Sequence, residues 1–188
     1  KVWHEKGYHV IGMNGVLIYR KGVDLMLLAL KQLNQSKDQY RLVLVGDGKD
    51  KENFVKLCDS LGLCGQVLFA GHRRDAYRFL PYYDVLAMPS LSEGFPLSLL
   101  EAAAYGKRVV VSDLPIVKEC FGEAFLTSAH ESQVVFVFDV SSQKEKTVER
   151  LAQALDNAMA DNKVGERLQS RYKGNFMPEI FFDRYEVL

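Results

Sequence analysis

The chain has 188 residues, of which 48% are apolar and 26% charged, as expected for a globular protein that buries a large core. Its 24 basic and 24 acidic residues balance, which argues against electrostatic binding to nucleic acid or anionic lipid. No apolar run approaches the roughly 18 residues of a membrane-spanning helix, and the N-terminus does not resemble a signal peptide. Because the chain lacks an initiator methionine and opens in mid-pattern, we expect it to be a fragment.

Short β-rich runs alternate with helical patterns along the chain. The expected strands lie within Tyr8–Ile18, Arg41–Val45, Gln66–Ala70, Asp84–Met88, Arg108–Ser112, Ala124–Thr127 and Val134–Phe138. The expected helices are Val23–Leu33, Lys51–Leu61, Asp75–Leu80, Pro96–Tyr105, Pro115–Phe121 and Lys146–Met159, and the expected flexible loop is Ser141–Lys146. Several strands are apolar without alternation, which is typical of strands covered on both faces. The pattern predicts an α/β fold with a doubly wound, mostly parallel, Rossmann-like sheet.

The predicted helix from Pro96 to Tyr105 carries one charged residue, Glu101. Proline suits the first helical position and Gly106 is a natural stop. A helix that is apolar on nearly every side belongs in an interior, where a lone carboxylate is costly without a partner. The partner of Glu101 is therefore a protein group, such as an arginine, a tyrosine or a backbone amide, or else a ligand. The residues alone leave both interpretations open.

A second carboxylate, Glu93, stands eight positions before Glu101. Between them, a Gly-Phe-Pro turn leads into the start of the helix, where backbone amides favour an anion. Two carboxylates can also form the acid and nucleophile of a retaining glycosidase. Here one carboxylate lies on a loop and the other in a buried helix, so the pair is better placed to accept hydrogen bonds from a polyol.

Further candidates follow the ends of the predicted strands, and the carboxyl ends of parallel strands meet at one edge of a sheet. They are the segments Arg20-Lys21-Gly22, Gly46-Asp47-Gly48, Gly71-His72-Arg73-Arg74 and Ser90–Pro96. Lys21 could neutralise a phosphate, although a solvated lysine is the simpler interpretation. The glycines can form a plain tight turn, and the paired arginines can simply be surface residues. One crevice could hold all four segments.

Metal and disulfide chemistry have little support in the sequence. The cysteines, Cys58, Cys64 and Cys120, lie among apolar residues and are expected to be reduced core residues of a cytoplasmic protein. The four histidines are scattered, and no carboxylates have the spacing of metal ligands. We expect no bound metal and no cofactor.

Taken together, the motifs resemble the family 4 retaining glycosyltransferases of the two-domain GT-B fold. The segment SEGFPLSLLEAAAYGKRVVVSD is similar to the family signature, in which two glutamates, here Glu93 and Glu101, are separated by seven residues. Further matches are YRKGVDL, LVGDGKDKENF, VLFAGHRRD and YYDVLAMPS, and the tail RYKGNFMPEIFFDRY resembles the C-terminal helix of the family. The resemblance covers nearly the whole chain, in the right order, and corresponds to the C-terminal, donor-binding half of that fold.

The resemblance implies a role for each matching residue. Glu101 would accept the ribose hydroxyls of the donor nucleotide, and Glu93, with the backbone of Gly94–Leu97, would hold the donor sugar and phosphates. Lys21 would meet the diphosphate and stabilise the leaving group, so Lys21 and Glu93 are the catalytic candidates. The loop from His72 to Arg74 would line the base. The full donor-binding set is Gly15, Arg20, Lys21, Gly46, Gly48, His72, Arg73, Arg74, Glu93, Gly94, Phe95, Pro96, Leu97 and Glu101.

The resemblance also implies a domain organisation and partners. Residues 1–175 would form the donor-binding domain, and residues 176–188 a helix that returns to a missing N-terminal acceptor domain. The partners would be a nucleotide sugar and, through the missing domain, an acceptor glycan or lipid, but no nucleic acid. A cytoplasmic location is implied, with contact to the inner face of a membrane open to the full-length protein.

One position departs from the family pattern, which usually reads Gly-Arg-Leu where this chain has Gly15-Val16-Leu17. The first phosphate-binding arginine is thus replaced by Val16; either Arg20 substitutes for it or the donor site is weaker. A second hypothesis follows, a binding module that keeps the nucleotide-sugar pocket with little or no transfer. A nicotinamide-dependent oxidoreductase is disfavoured, because Gly12-Met13-Asn14-Gly15 does not match the dinucleotide fingerprint.

Overall fold

The computed structural model describes residues 1–35, 38–122 and 135–176. In this part of the chain the strands are β1 (His9–Asn14), β2 (Tyr40–Val45), β3 (Val67–Gly71), β4 (Val85–Met88), β5 (Arg108–Ser112) and β6 (Phe136–Phe138). The helices are α1 (Val2–Glu5), α2 (Val23–Leu33), α3 (Lys51–Ser60), α4 (Leu97–Ala104), α5 (Pro115–Phe121), α6 (Lys144–Ala160) and α7 (Val164–Phe176). Two 3₁₀ segments, Tyr19–Lys21 and Ala76–Tyr82, follow β1 and β3.

The strands form one sheet in the order β3-β2-β1-β4-β5-β6, and every pairing between them is parallel. The chain begins in the middle of the sheet with β1 and runs outward to β3. It then returns to the other side of β1 with β4, where Ile11 pairs with Val85 and Gly12 with Leu86. This confirms the predicted doubly wound sheet. The reversal between β1 and β4 is the position at which such sheets open a crevice for ligands.

Both faces of the sheet are covered, as the apolar strands predict. Successive residues of β1 face opposite sides, so Val10 and Ile11 belong to two different core clusters. One cluster packs β1 and β2 against α2, α3 and α6, with Phe54 and Leu151 among its fully buried members. The other packs the sheet against α4, α5 and α7, with Leu99 among its members. The two layers of helices hold the strand ends rigidly at one edge.

The structure adds to and corrects the predicted elements. Helix α1 was not predicted, and α7 begins at Val164, before the tail from residue 171 that resembles the C-terminal helix of the family. Helix α6 begins at Lys144, inside the segment expected to be a loop. Pro96 caps α4 instead of occupying its first helical position. The strand predicted at Ala124–Thr127, and the predicted C-terminal helix beyond residue 176, lie outside the described residues.

The cysteines are not all core residues. Cys58 is buried, and burial raises the pKa of its thiol to about 11. Cys64, by contrast, is exposed in the turn after α3, where its thiol donates a hydrogen bond to Asp59 Oδ1 at 3.1 Å. The expectation that Cys64 is a core residue is therefore wrong, because the apolar residues around it in sequence belong to the end of a helix and the turn that follows.

A buried tyrosine fixes the connection between β3 and β4. The ring of Tyr83 fills the space that Gly12 leaves in β1, where an added Cβ would lie 2.0 Å from a ring carbon. Its hydroxyl donates to Asn14 Oδ1 at 2.8 Å, and the Asn14 amide donates to the carbonyl of Ala76 at 3.3 Å. The end of β1 thus holds the 3₁₀ segment that follows β3.

We expect Tyr83→Phe to lower the free energy of unfolding by about 1–2 kcal/mol, because the ring still packs but the partly buried amide oxygen of Asn14 loses its donor. Urea denaturation monitored by circular dichroism measures the change. Tyr82→Phe is the matched control, because Tyr82 is 51% exposed. Equal effects of the two variants would contradict the structural role given to the hydroxyl of Tyr83.

Candidate functional site

The loops that follow β1 and β4 are packed tightly at the carboxyl edge of the sheet. Gly22, which follows the 3₁₀ segment Tyr19–Lys21, has a φ of 71° and starts α2. A Cβ at this position would lie 1.9 Å from the carbonyl oxygen of Pro89, directly after β4. Glycine is therefore required both by the backbone conformation and by the close approach of the second loop.

This packing brings Lys21 and Glu93 together from positions 72 residues apart. The ammonium of Lys21 donates to both carboxylate oxygens of Glu93 at 2.7 Å, and the hydroxyl of Ser90 donates to Oε1 at 2.6 Å. The Lys21 side chain is 20% exposed and that of Glu93 is 7% exposed. Glu93 is thus a nearly buried carboxylate whose charge is balanced by Lys21, with one face of the lysine still open to solvent.

Open space surrounds one glycine on each of the loops after β1 and β4. A Cβ added at Gly15, on the loop after β1, or at Gly94, next to Glu93, would meet no atom within 4 Å. Gly15 and Gly94 are both exposed. A ligand can therefore approach the backbone of both loops closely.

Arg20 lies next to Lys21 but is oriented toward the loop after β4. Its guanidinium donates to the carbonyl oxygen of Ser92 at 2.9 Å. Val16, the residue that replaces the arginine of the family pattern, is 43% exposed on the loop after β1. Val16 is exposed and is therefore not part of the core. The site has an apolar surface at the position where the family pattern carries a cation.

The glycines after β2 serve the packing of two neighbouring loops. Gly46 has a φ of 151°, and a Cβ there would lie 1.8 Å from the carbonyl oxygen of Gly15. A Cβ at Gly48 would lie 2.4 Å from the carbonyl oxygen of Leu17. Both glycines therefore shape the site by letting the loop after β2 support the loop after β1.

The loop after β3 is at the surface. His72, Arg73 and Arg74 are exposed, and Arg73 Nε donates to Asp75 Oδ1 at 3.0 Å. The amide of Gly46 donates to the carbonyl oxygen of Gly71 at 2.8 Å, so the loops after β2 and β3 are neighbours. The three residues lie at the predicted edge of the sheet, and the guanidinium of Arg73 is held by Asp75.

Helix α4 is buried on one side only. Leu99, Ala102 and Ala103 are buried, but Phe95 and Leu97, at its start, are 56% and 64% exposed. The expectation of a helix enclosed on nearly every side is therefore wrong at its first turn. These two exposed side chains flank the buried Pro96 and follow Glu93 and Gly94 directly in the chain.

Glu101, one turn further along α4, is half-buried. Among the residues described, none forms a hydrogen bond or an ion pair with its carboxylate, and burial raises its pKa. Of the two interpretations left open by the sequence, a protein partner is thus not found within residues 1–35, 38–122 and 135–176. The structure favours a carboxylate that is available to a ligand.

The raised pKa of Glu101 gives stability a pH dependence. The folded chain holds this proton to higher pH than the unfolded chain does, so the unfolding free energy falls as pH rises from the ordinary value of 4.5 through the folded value. Glu101→Gln stays neutral and avoids this loss. We expect the variant to gain stability relative to the unaltered protein between about pH 4 and pH 7, measured by urea denaturation. An identical difference at both pH values would contradict this expectation.

The described residues contain neither a metal-binding cluster nor a membrane-spanning helix. Residues 1–35, 38–122 and 135–176 contain no group of three or more His, Cys, Asp or Glu side chains placed to hold a metal ion. Within the same ranges, no helix is long and apolar enough to cross a membrane.

Comparison with known proteins gives consistent matches. The family model described as "Glycosyl transferases group 1" matches residues 1–171. The O-antigen biosynthesis glycosyltransferase WclY of Escherichia coli is 29% identical over 157 residues, which cover 84% of this chain and 43% of that protein. The lipopolysaccharide core biosynthesis glycosyltransferase LpsE of Rhizobium meliloti is 30% identical over 182 residues, covering 94% and 48%. The chain spans about half the length of these relatives.

Solved structures share the fold. WaaG, a glycosyltransferase involved in lipopolysaccharide biosynthesis, has a TM-score of 0.74 and 21% identity over 99% of this chain and 50% of its own. The pneumococcal O-GlcNAc transferase GtfA, solved with UDP and GlcNAc, has a TM-score of 0.81 and 17% identity, covering 97% and 36%. Anabaena HepE, solved with UDP and glucose, has a TM-score of 0.77 and 23% identity, covering 96% and 48%. The parallel sheet with its two helical layers is thus the Rossmann-like architecture of GT-B glycosyltransferases.

Proposed function

Because the chain belongs to the group 1 glycosyl transferases, we propose that it is the donor-binding half of a family 4 retaining glycosyltransferase. The reaction would transfer a sugar, of the hexosyl type, from a nucleoside diphosphate sugar to an acceptor. The observation that carries the proposal is the contact between Lys21 and Glu93, with Nζ 2.7 Å from both carboxylate oxygens. It joins two separate motifs at the β1–β4 reversal, where ligands of this fold bind.

The chemistry of the site suits a departing diphosphate. Loss of the sugar leaves negative charge on the nucleoside diphosphate, and a positioned ammonium stabilises such charge without reorganisation. Lys21 supplies that ammonium, and Glu93, fixed by Lys21 and Ser90, presents its carboxylate beside the exposed backbone of Gly94. Glu93 and the backbone of Gly94–Leu97 would hold the donor sugar and phosphates.

Glu101 would accept the ribose hydroxyls of the nucleotide. Its carboxylate is half-buried and has no partner among the described residues, so two hydroxyl donors would offset the cost of burying the charge. The exposed loop His72–Arg74 would line the base. Two structural neighbours were solved with UDP, which makes UDP the first nucleotide to test.

The acceptor would be a glycan or a lipid-linked glycan bound by the other half of the protein. Relatives named for O-antigen and lipopolysaccharide core synthesis, and for transfer to a diphospho-undecaprenol acceptor, support this class. The whole protein would then work in the cytoplasm and would meet a lipid-linked acceptor at the inner face of the membrane. Donor binding would need neither a resident metal nor a cofactor.

Calorimetric titration with a panel of nucleoside diphosphates and their sugars tests the donor proposal. We expect one diphosphate, with UDP first in the panel, to bind with micromolar to low millimolar affinity, and the free nucleoside to bind more weakly. No binding of any diphosphate up to about 10 mM would contradict the proposal.

A binding module with little or no transfer activity is the second candidate, favoured by the exposed Val16 where the family pattern has an arginine. Steady transfer by the full-length protein, abolished by Lys21→Ala, would exclude it. Donor binding without transfer by the full-length protein would support it.

We expect this chain of 188 residues to bind the donor by itself but not to transfer the sugar to an acceptor at a useful rate. Transfer requires both substrates within near-attack distance and exclusion of water, which need the facing domain. The proposed boundary places residues 1–175 in the donor domain and residues 176–188 in a helix that returns to the acceptor domain. A donor-hydrolysis and transfer assay on this chain and on the full-length protein measures the difference. Comparable turnover by the two would refute the division.

A further inference from the structure

We propose that Arg20 is a positioning residue that holds the loop bearing Glu93, and that it does not replace the phosphate-binding cation missing at Val16. The inference rests on the proposed function, because it concerns the loop that would hold the donor sugar. From the family pattern alone, Arg20 would be a substitute for the phosphate-binding arginine missing at Val16. Holding the loop that bears Glu93 is a different role.

Arg20 contacts two successive residues of the loop after β4. Its guanidinium donates from Nη1 to the carbonyl oxygen of Ser92 at 2.9 Å and approaches Ser92 Oγ at 3.4 Å. Its own carbonyl oxygen accepts a hydrogen bond from the amide of Leu91 at 2.8 Å. The side chain and the main chain of one residue therefore fix the backbone immediately before Glu93.

The next residue of the same 3₁₀ segment, Lys21, holds Glu93 itself. Arg20 and Lys21 thus bind three consecutive residues of the facing loop, Leu91, Ser92 and Glu93. Behind them, Gly22 lies against the carbonyl of Pro89, so the two backbones are already at closest approach. The contacts of Arg20 therefore add to those of Lys21 in restricting movement of the loop, and small displacements of a site carboxylate reduce its function.

The partners of the Arg20 guanidinium identify its task. Both of its acceptors are neutral oxygen atoms of Ser92, and the planar guanidinium is directed by them along the loop. Both bonds come from Nη1 and hold the guanidinium on Ser92, so Arg20 is already anchored to the protein loop before any donor binds. Lys21, by contrast, already lies on an anion and can exchange part of that contact for a phosphate oxygen.

The first experiment needs no ligand. Hydrogen exchange of the backbone amides is measured in the unaltered protein and in Arg20→Ala. In Arg20→Ala we expect exchange at Leu91 and in the loop up to Gly94 to accelerate about tenfold or more, while amides of β1 and α4 stay protected. The Leu91 amide would still face the carbonyl of residue 20, but the loop would have lost the bond from the guanidinium to Ser92. Unchanged exchange in this loop would overturn the proposal.

The second experiment is a double-mutant cycle with Glu93→Gln, using UDP-glucose and UDP as probes in calorimetric titrations. A positioning residue acts through Glu93, so we expect Arg20→Ala to weaken UDP-glucose binding about tenfold in the unaltered background and much less in the Glu93→Gln background. The dependence of UDP affinity on ionic strength should stay the same in Arg20→Ala. Lys21→Ala is the control in which that dependence becomes weaker, since a phosphate contact is lost.

Additive losses, together with a weaker dependence on ionic strength in Arg20→Ala, would make Arg20 a phosphate ligand and overturn the proposal. Failure of the unaltered protein to bind any nucleotide, with accelerated exchange in Arg20→Ala, would instead contradict the proposed function and leave the loop-holding role of Arg20 in place. The two failures are therefore distinguishable.

Discussion

Lys21→Ala is expected to weaken binding of a nucleoside diphosphate by about 10- to 100-fold while leaving binding of the free nucleoside nearly unchanged. The ammonium of Lys21 is the cation of the ion pair at the β1–β4 reversal. Its charge strengthens binding only of a ligand that carries an anionic group, which here is the diphosphate. Calorimetric titration of the variant with UDP and with uridine measures the two affinities. The uridine titration also shows whether the crevice still forms without the contact to Glu93.

Lys49→Ala is the matched control for charge. Lys49 is an exposed lysine on the neighbouring loop after β2, so its removal changes the net charge equally without touching the ion pair. We expect the control to shift UDP affinity less than about twofold. Equal losses for uridine and UDP in Lys21→Ala would remove Lys21 from the phosphate site.

Glu101→Gln is expected to weaken nucleotide binding by about 1.5–3 kcal/mol, the typical value of a hydrogen bond to a charged group. The variant should fold, because the amide is nearly isosteric and the half-buried carboxylate has no partner among the described residues to lose. Binding and stability should therefore change in opposite directions at neutral pH. Calorimetry and urea denaturation of the same preparation measure both quantities.

Glu119→Gln provides the same chemical change at an exposed position of α5 and should alter neither quantity. If Glu101→Gln kept full nucleotide affinity but lost thermal stability, Glu101 would be a structural carboxylate and the proposed contact with the ribose would be wrong.

The sequence predicts the fold well where the pattern is strong. Unbroken apolar runs in β2 and β5 marked strands covered on both faces, and the structure places them in a parallel sheet with helices on each side. The segments around Lys21 and Glu93 each follow a strand end in the sequence. In the structure they meet at one edge of the sheet, as expected. These features depend on local periodicity and on the chain rules of α/β folds, which sequence carries directly.

Features that depend on tertiary packing were not predictable. Helix α7 is polar on average. It packs against the sheet through one apolar side, which includes the buried residue Leu168. The exposed start of α4 resembled interior sequence because Phe95 and Leu97 are both apolar. Residue type alone does not reveal that these two side chains are exposed. The contact of Arg20 with Ser92 crosses 72 positions, and no local pattern indicates it.

The most direct test of the central claim, that a nucleotide binds at the carboxyl edge of the sheet, is the map of amide chemical shifts during titration of the isotopically labelled chain with UDP. We expect the perturbed amides to cluster at the loop after β1 that carries Lys21 and along the segment from Gly94 to Glu101. Amides at the opposite edge, around Asp84 and Lys107, should stay unchanged. Shifts confined to that opposite edge, or no shifts at saturating UDP, would contradict the account.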